Sequence, residues 1–223
     1  MDKKQYFLFD LNGTMVDDMD YHITAWHHVL NNWGGTISWE EMKEECYGKN
    51  EEIVERIFPG RFSEKEIREM SLQKEEQYKL TYKPHLALLP GLEQFLRKAH
   101  EQEIGMAIGS AAIRSNIDFV LDHLDLQSYF KTIVSADDVK LSKPNPETYL
   151  SCAQKLQALN ENCIVFEDST KGVEAALNAG MKCVALITLH EEAEFKPYSN
   201  ILFIIRDYTD SRLDALFGAT GSY

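Results

Sequence analysis

The chain has 223 residues, of which 44% are hydrophobic and 26% charged, so it can bury a core as one domain or as one domain with an insert. Its formal net charge of -13 argues against nucleic acid or an anionic membrane surface as a partner. No apolar run has the length of a transmembrane helix, and the apolar stretch near the N-terminus is too short for a signal peptide. We therefore expect a cytoplasmic protein without a nucleic-acid or membrane partner.

The first predicted elements are a strand and a helical insert. The strand is the apolar run Tyr6–Phe9. From residue 17 to residue 83 the sequence has helical periodicity and no convincing strand; Ile23, Trp26 and Leu30, for example, recur on one helix face. The link that follows residue 83 carries the prolines and the glycine expected at a domain boundary.

After the insert, short apolar runs alternate with longer amphipathic segments, which is typical of a parallel α/β sheet. The predicted strands are Met106–Gly109, Thr132–Ser135, Cys163–Phe166, Cys183–Ile187 and Leu202–Ile205. The predicted helices are Leu92–Glu103, Asn116–Asp125, Pro146–Ala158 and Lys171–Ala179. Several strands are apolar throughout, as strands covered on both faces are. The sequence therefore predicts an α/β fold: a doubly wound parallel sheet with a helical domain inserted after the first strand.

The cysteines show no CxxC spacing, which argues against a zinc site or a redox motif. They are Cys46, Cys152, Cys163 and Cys183, and the last two lie in predicted buried strands. We expect reduced thiols, as is usual for core cysteines of cytoplasmic proteins.

Polar side chains follow four of the predicted strands, at the edge where open α/β sheets bind ligands. The segments are Asp10-Leu11-Asn12-Gly13-Thr14, Gly109-Ser110-Ala111, Lys143-Pro144-Asn145-Pro146 and Glu167-Asp168-Ser169. A single aspartate at a strand end is more often a turn or helix-cap residue than a catalytic one. Four polar segments at one edge are harder to ascribe to turns, so we expect them to form one site.

The residue types in these segments are suited to phosphoryl transfer. Asp10 and Asp168 offer the oxygen ligands that Mg²⁺ prefers, and a carboxylate beside the metal can attack phosphorus to form an aspartyl-phosphate. Candidates for binding the phosphate oxygens, through hydroxyl or backbone N–H groups, are Thr14, Ser110 and Ala111. Lys143 would offset charge between Asp10 and the phosphate, although a lone loop lysine is more often only solvated.

The order Asp-x-x-Gly-Thr, Ser, Lys-Pro and Glu-Asp-Ser, with an early helical insert, resembles the haloacid dehalogenase superfamily. Within it, the chain is most similar to the branch of β-phosphoglucomutase and the sugar-phosphate phosphatases. The resemblance spans nearly the whole chain. It implies a Rossmann-like phosphotransfer core of residues 1–16 and 84–223, with a helical cap of residues 17–83.

The resemblance also implies roles for individual residues and a Mg²⁺ cofactor. Asp10 is the implied nucleophile, and Ser110 and Lys143 are the implied phosphate contacts. The implied Mg²⁺ ligands are Asp10, Asp168 and the main-chain carbonyl of Asn12, with Glu167 acting through a metal-bound water.

The cap matches the family in one segment and departs from it in another. His22 and Trp26 resemble the cap segment that faces the active site, although a packed indole and a hydrogen-bonded core histidine are the alternative. Mutases of this branch hold a second phosphate with basic cap residues. Glu51 stands at one of those positions here and Leu80, between Lys79 and Lys83, near the other; Lys49 is a candidate to take the role at the first.

Asn12 departs from the family, in which an aspartate stands two residues after the nucleophile. In the family this carboxyl protonates the leaving oxygen and then takes a proton from the attacking water, which an asparagine cannot do. Such a loss costs about 10²- to 10⁴-fold in rate. Three interpretations stay open: a phosphatase that is slow or limited to good leaving groups, proton transfer borrowed from His22 or a cap carboxylate, or a non-catalytic binder of phosphorylated metabolites.

We predict a Mg²⁺-dependent, phosphatase-like hydrolase that acts as a monomer on a small phosphorylated metabolite through an aspartyl-phosphate. Its predicted catalytic residues are Asp10, Asn12 and Lys143. The alternatives are a β-phosphoglucomutase-type mutase, a non-catalytic phosphometabolite-binding protein and a dehalogenase. Dehalogenases of the superfamily need no metal, so the Glu167-Asp168 pair argues against the last of these.

Overall fold

A computed structural model describes residues 4–217. The described chain divides into two compact units, one formed by residues 4–17 and 87–217 and the other by Asp18–Leu86. The second unit interrupts the first after its first strand. The division lies one to three residues from the predicted boundaries at 17 and 83.

The strands of the first unit are Tyr6–Phe9 (β1), Gly105–Gly109 (β2), Thr132–Val134 (β3), Cys163–Glu167 (β4), Lys182–Leu186 (β5) and Ile201–Ile205 (β6). All pair in parallel, in the order β3-β2-β1-β4-β5-β6. The prediction of a parallel α/β sheet is confirmed, and each predicted strand is present with its ends shifted by no more than one residue.

The helices of the described chain alternate with these strands, except for the first four, which form the second unit. In chain order they are Met19–Asn32 (α1), Trp39–Glu45 (α2), Asn50–Ile57 (α3), Glu64–Tyr82 (α4), Leu92–Glu101 (α5), Arg114–His123 (α6), Glu147–Leu156 (α7), Thr170–Asn178 (α8) and Glu192–Phe195 (α9). Short 3₁₀ segments lie at Lys83–His85, Gln127–Tyr129, Ala136–Asp138, Asn160–Asn162 and Ser211–Phe217. None of the helices within residues 4–217 is both long and apolar enough to cross a membrane.

Both faces of the sheet are covered, as the continuous apolar strands require. On one face Phe7 and Phe9 of β1 pack against Phe95 of α5, with ring centroids 5.4 and 6.3 Å apart. On the other face Leu8 belongs to a buried cluster that includes Tyr149 of α7 and side chains of α8. This alternation follows from the two-residue period of a strand. All four cysteines are free thiols, as predicted.

Over residues 18–86 the second unit contains helices joined by short links and no strand, as its periodicity predicts. Its longest helices, α1 and α4, pack against each other. Ser38 is the N-cap of α2 and Ser63 is the N-cap of α4. The hydroxyl of each serine accepts a hydrogen bond from the backbone N–H of the glutamate three residues later, and the carboxylate of that glutamate accepts one from the backbone N–H of the serine. These capping boxes satisfy backbone groups that a helix start leaves unpaired.

The strand order reverses beside β1, because β2 lies on one side of it and β4 on the other. Ligands of open α/β sheets bind at the carboxyl ends of the strands where such a reversal occurs. Asp10 follows β1 directly, and Glu167 and Asp168 lie at the end of β4. The topology therefore brings together the two acidic segments that the sequence placed at strand ends.

Candidate active site

Three buried carboxylates meet at this edge of the sheet. Asp10, Glu167 and Asp168 each offer an oxygen, and these oxygens all lie within 4.8 Å of one another. The pairing of β1 with β4 sets their positions: Phe9 lies opposite Phe166, and the Asp10 backbone N–H donates to the Phe166 carbonyl at 3.0 Å. The convergence of these carboxylates is thus fixed by strand register.

Lys143 supplies the positive charge of the cluster. Its ammonium donates to Asp10 Oδ1 at 2.8 Å and to Glu167 Oε1 at 2.6 Å, and its side chain is buried. Burial alone would lower the pKa of Lys143, but the two carboxylates raise it above its ordinary value, so the side chain is an ammonium. The lysine therefore bonds Asp10, and its contact with a phosphate stays a prediction.

The pKa values of the carboxylates reflect the excess of negative charge. Burial raises the pKa of Asp10 to about 6, against the opposing effect of Lys143. Burial, together with the charges of Glu167 and Asp10, raises the pKa of Asp168 well above its usual value. Burial also acts to raise the pKa of Glu167, but Lys143 holds it below the ordinary value. Three carboxylates thus share one ammonium.

This donor set fits a divalent cation. Mg²⁺ takes oxygen ligands and usually one or two carboxylates together with waters and substrate phosphate. Buried like charges are costly unless a positive charge compensates them, and Lys143 compensates only part of this cluster. Asp10 and Asp168 are suited to direct ligation.

Thr14 lies in the site beside Asp168. Its side chain is fully buried, and its hydroxyl donates to Asp168 Oδ1 at 3.0 Å. The bond holds a metal-ligand candidate in place. Contact of Thr14 with a phosphate stays a prediction.

Ser110 and Ala111 follow β2, beside β1, as predicted. The Ser110 hydroxyl forms a hydrogen bond with Asp10 that acts to lower the pKa of that carboxyl, and it accepts the backbone N–H of Ala112 at 3.2 Å. Ala111 is half-buried in the turn that follows. Ser110 therefore contacts Asp10 directly, and phosphate binding by Ser110 and Ala111 stays a prediction.

Asn12 and Gly13 form a tight turn after β1. Gly13 has a φ of 70°, a conformation that favours glycine, and a Cβ at this position would overlap the Asp168 carboxylate. The Gly13 N–H donates to the Val16 carbonyl at 2.8 Å, and its carbonyl accepts the Thr188 hydroxyl at 2.7 Å. Asn12 itself is half-buried. Both bonds of Gly13 therefore hold the turn directly after Asn12.

His22, in the helical unit, lies in a buried polar network. Its Nδ1 is 2.8 Å from Lys74 Nζ and its Nε2 is 3.4 Å from Asp18 Oδ2. Because an ammonium has no acceptor, Nδ1 must be the acceptor, so the ring is neutral and carries its proton on Nε2. Tyr78 stacks on the ring at a centroid distance of 3.8 Å and donates to Asp18 at 2.6 Å, while Lys74 also bonds Glu75.

We expect Lys74→Met to raise the pKa of His22. Burial and the Lys74 charge both lower this pKa, whereas Asp18 and Glu75 raise it. Removing the cation leaves the two carboxylates to favour the protonated ring. An NMR titration of the His22 ring measures the shift, with Lys65→Met, an exposed lysine of the same helix, as the control. An unchanged His22 pKa in the Lys74 variant would contradict the assigned network.

The other two cap candidates have different environments. Trp26 is 0% exposed, and Lys74 Nζ lies 5.6 Å from its ring centroid, which favours the packed-indole alternative. Lys49 is half-buried, and its backbone N–H donates to Glu52 Oε2 at 2.9 Å at the start of α3. Substrate contacts by His22, Trp26 and Lys49 stay predictions.

Several residues that hydrogen-bond the candidate residues or their neighbours, each within its own unit, were missed by the sequence analysis. They are Lys74 and Tyr78 in the helical unit, and Tyr149, Thr188 and Tyr208 in the sheet unit. The Tyr208 hydroxyl, for example, donates to the Thr14 carbonyl at 3.2 Å, although the two residues are 194 positions apart in the sequence. No local motif marks such residues, because their partners are distant in sequence.

The chain matches the family model of haloacid dehalogenase-like hydrolases over residues 7–186. It is 30% identical over 177 residues to the fructose-1-phosphate phosphatase of Escherichia coli, covering 79% of this chain and 93% of that protein. It is 27% identical over 217 residues to the β-phosphoglucomutase of Bacillus subtilis, covering 94% and 92%. The crystal structure of β-phosphoglucomutase from Clostridium difficile superposes with a TM-score of 0.84 at 26% identity, covering 96% of each chain.

Proposed function

The chain belongs to the haloacid dehalogenase-like hydrolase family, and from that premise we propose that it is a Mg²⁺-dependent phosphatase of small phosphorylated metabolites. One observation carries the proposal. The Asp10 carboxylate lies with Glu167 and Asp168 in a buried cluster and is bonded by the Lys143 ammonium. A carboxylate placed beside a metal site and a cation is suited to attack phosphorus.

In the proposed reaction an Asp10 oxygen attacks the phosphorus of the ester, the ester oxygen leaves, and an aspartyl-phosphate forms on Asp10. Water then attacks the phosphorus and regenerates the carboxylate. Lys143 offsets charge between Asp10 and the phosphate, and Ser110 donates to a phosphate oxygen. Asp10, Asp168 and the Asn12 carbonyl would hold Mg²⁺, with Glu167 reaching it through water. The bound ion supplies charge compensation for the phosphate oxygens.

Asn12 affects the two halves of this reaction differently for different substrates. An amide donates a hydrogen bond but cannot transfer a proton. A sugar alkoxide needs a proton as it leaves, so formation of the aspartyl-phosphate is slow with a sugar phosphate. A carboxylate leaving group needs none, so acetyl phosphate avoids the first penalty. The attacking water still lacks a base, and hydrolysis of the aspartyl-phosphate becomes the slow step.

We expect acetyl phosphate to give a burst of acetate, with an amplitude stoichiometric with active sites, followed by a slower steady rate. The burst reports formation of the aspartyl-phosphate, and the steady rate reports its hydrolysis. Rapid-quench measurement of acetate and phosphate in the same samples separates the two steps. Acetate release that is linear from the first turnover would contradict a slow second step.

The substrate class is tested by Mg²⁺-dependent phosphate release from a panel of sugar phosphates, acetyl phosphate and pyrophosphate. Similarity to a fructose-1-phosphate phosphatase supports a sugar phosphate as the physiological class. We expect release that EDTA abolishes, fastest with acetyl phosphate. Absence of release from every compound, or release that is insensitive to EDTA, would contradict the proposal.

Mutase activity is the alternative, supported by similarity to β-phosphoglucomutases. A mutase must hold the second phosphate of a bisphosphorylated sugar, and the exposed Glu51 carboxylate near the expected cation position would repel it. Lys49 is the remaining candidate for that contact. Equal binding of a bisphosphorylated sugar by the native protein and by Lys49→Ala would remove Lys49 from this role.

A further inference from the structure

The Glu167 carboxylate accepts hydrogen bonds from three residues of this chain. Its Oε1 accepts the Lys143 ammonium at 2.6 Å and the Tyr149 hydroxyl at 2.8 Å. Its Oε2 accepts the backbone N–H and the hydroxyl of Ser169 at 2.9 and 3.0 Å. The two donors on Oε1 share the charge of a single oxygen.

Tyr149 reaches this oxygen from inside the core. It lies on α7, is 0% exposed, and belongs to the cluster that covers one face of the sheet. Its ring also lies under the lysine, with Lys143 Nζ 4.8 Å from the ring centroid. Tyr149 thus contacts both members of the Lys143–Glu167 pair, by its hydroxyl and by its ring face.

Two carboxylates compete for the one ammonium. Lys143 Nζ is 2.6 Å from Glu167 and 2.8 Å from Asp10. A hydrogen bond to Glu167 Oε1 from a third group reduces the charge available to the lysine there. The hydroxyl of Tyr149 is that group, so it favours contact of the ammonium with Asp10.

We propose that Tyr149 is a positioning residue, whose hydroxyl and ring keep Lys143 on Asp10 instead of allowing Glu167 to draw it away. The expected effect on the rate rests on the proposed function, because Lys143 matters to the rate only if Asp10 is the nucleophile. The expected effect on the position of the ammonium between the two carboxylates is independent of the proposed function.

The test is Tyr149→Phe, which keeps the ring and removes the hydroxyl. Glu167 then attracts Lys143 more strongly, and the ammonium offsets less of the charge that develops during attack by Asp10. We expect kcat to fall about tenfold, because a hydrogen bond to a charged group is lost and the ammonium is drawn away from the nucleophile. Tyr198→Phe, which removes a hydroxyl that bonds Thr170, should leave kcat unchanged.

A crystal structure of Tyr149→Phe gives a measurement that does not depend on turnover. We expect the Lys143 Nζ to Asp10 distance to exceed hydrogen-bonding range, with the phenyl ring in place. Adding Glu167→Gln to Tyr149→Phe removes the competing charge, so the Lys143–Asp10 contact should return. If only the double variant crystallises, its structure decides the question. A Lys143–Asp10 contact there would support the proposal, and its absence would count against the proposal.

An unchanged Lys143–Asp10 contact in Tyr149→Phe, or an unchanged kcat in that variant, would overturn the proposal. If the native protein has no turnover, the proposed function fails, and the position of Lys143 in the Tyr149→Phe crystal still decides this inference. The two failures are therefore distinguishable.

Discussion

Replacing Asn12 with aspartate is expected to raise kcat for sugar-phosphate hydrolysis by about 10²- to 10⁴-fold, the usual effect of a positioned general acid–base. The new carboxyl can protonate the leaving oxygen and then accept a proton from the attacking water. The turn itself should persist, because it is held by the backbone bonds of Gly13 and by the Thr188 hydroxyl. Steady-state kinetics of Asn12→Asp beside the native protein measure the gain.

The matched control is Asn12→Gln, which keeps an amide and should gain no activity. An Asn-Gly pair can deamidate, so peptide mass spectrometry must show that residue 12 of the native protein is unmodified. If Asn12→Asp is no faster than the native protein, proton transfer at residue 12 does not limit the reaction. If only Asn12→Asp turns over, the native chain is a binder with an intact pocket, and its ligand becomes the question.

Asp10→Asn is expected to lower phosphate release by at least about 10³-fold, because it removes the attacking oxygen nucleophile. The substitution is nearly isosteric, and a thermal melt establishes that the variant is folded. Asp20→Asn, which neutralises an exposed carboxylate at the start of α1, should retain the native rate. Substantial Mg²⁺-dependent release by Asp10→Asn would mean that another group attacks the phosphorus.

The strands were predictable because a strand buried on both faces must be apolar along its length. Their ends were less so. Glu167 is charged and lies just beyond the apolar run that predicts β4, yet it pairs within the strand, since Lys143 and Tyr149 satisfy its carboxylate. Gly105 lies just before the run that predicts β2, yet it pairs with Tyr6, and a Cβ there would press on the Tyr6 ring.

Three helix ends were predicted too late for a common reason. The helices expected to run to residues 103, 125 and 158 end at Glu101, His123 and Leu156. Glu103, Asp125 and Gln157 have φ values of 56°, 55° and 55°, which an α-helix cannot contain. Glycine usually marks such positions, as Gly180 with a φ of 71° does after α8, but no glycine stands at these three.

The acidic cluster and Lys143 were predictable because parallel strands deliver the residues after them to one edge. The residues that orient them were not. Tyr149 bonds Glu167 across 18 residues and Thr188 bonds Gly13 across 175. Each lies in a helix or loop where a tyrosine or threonine is unremarkable, and only the folded chain assigns its partner.

The central claim, that Asp10 becomes phosphorylated, is tested most directly by borohydride trapping. Native protein is mixed with Mg²⁺ and acetyl phosphate, quenched during the predicted burst, reduced and analysed by peptide mass spectrometry. Reduction converts an acyl phosphate to an alcohol, so residue 10 should become homoserine, with one oxygen lost and two hydrogens gained. The account predicts this product at residue 10, absent from Asp10→Asn and from samples with EDTA. A burst of acetate with residue 10 unreduced, or with another carboxylate reduced instead, would contradict it.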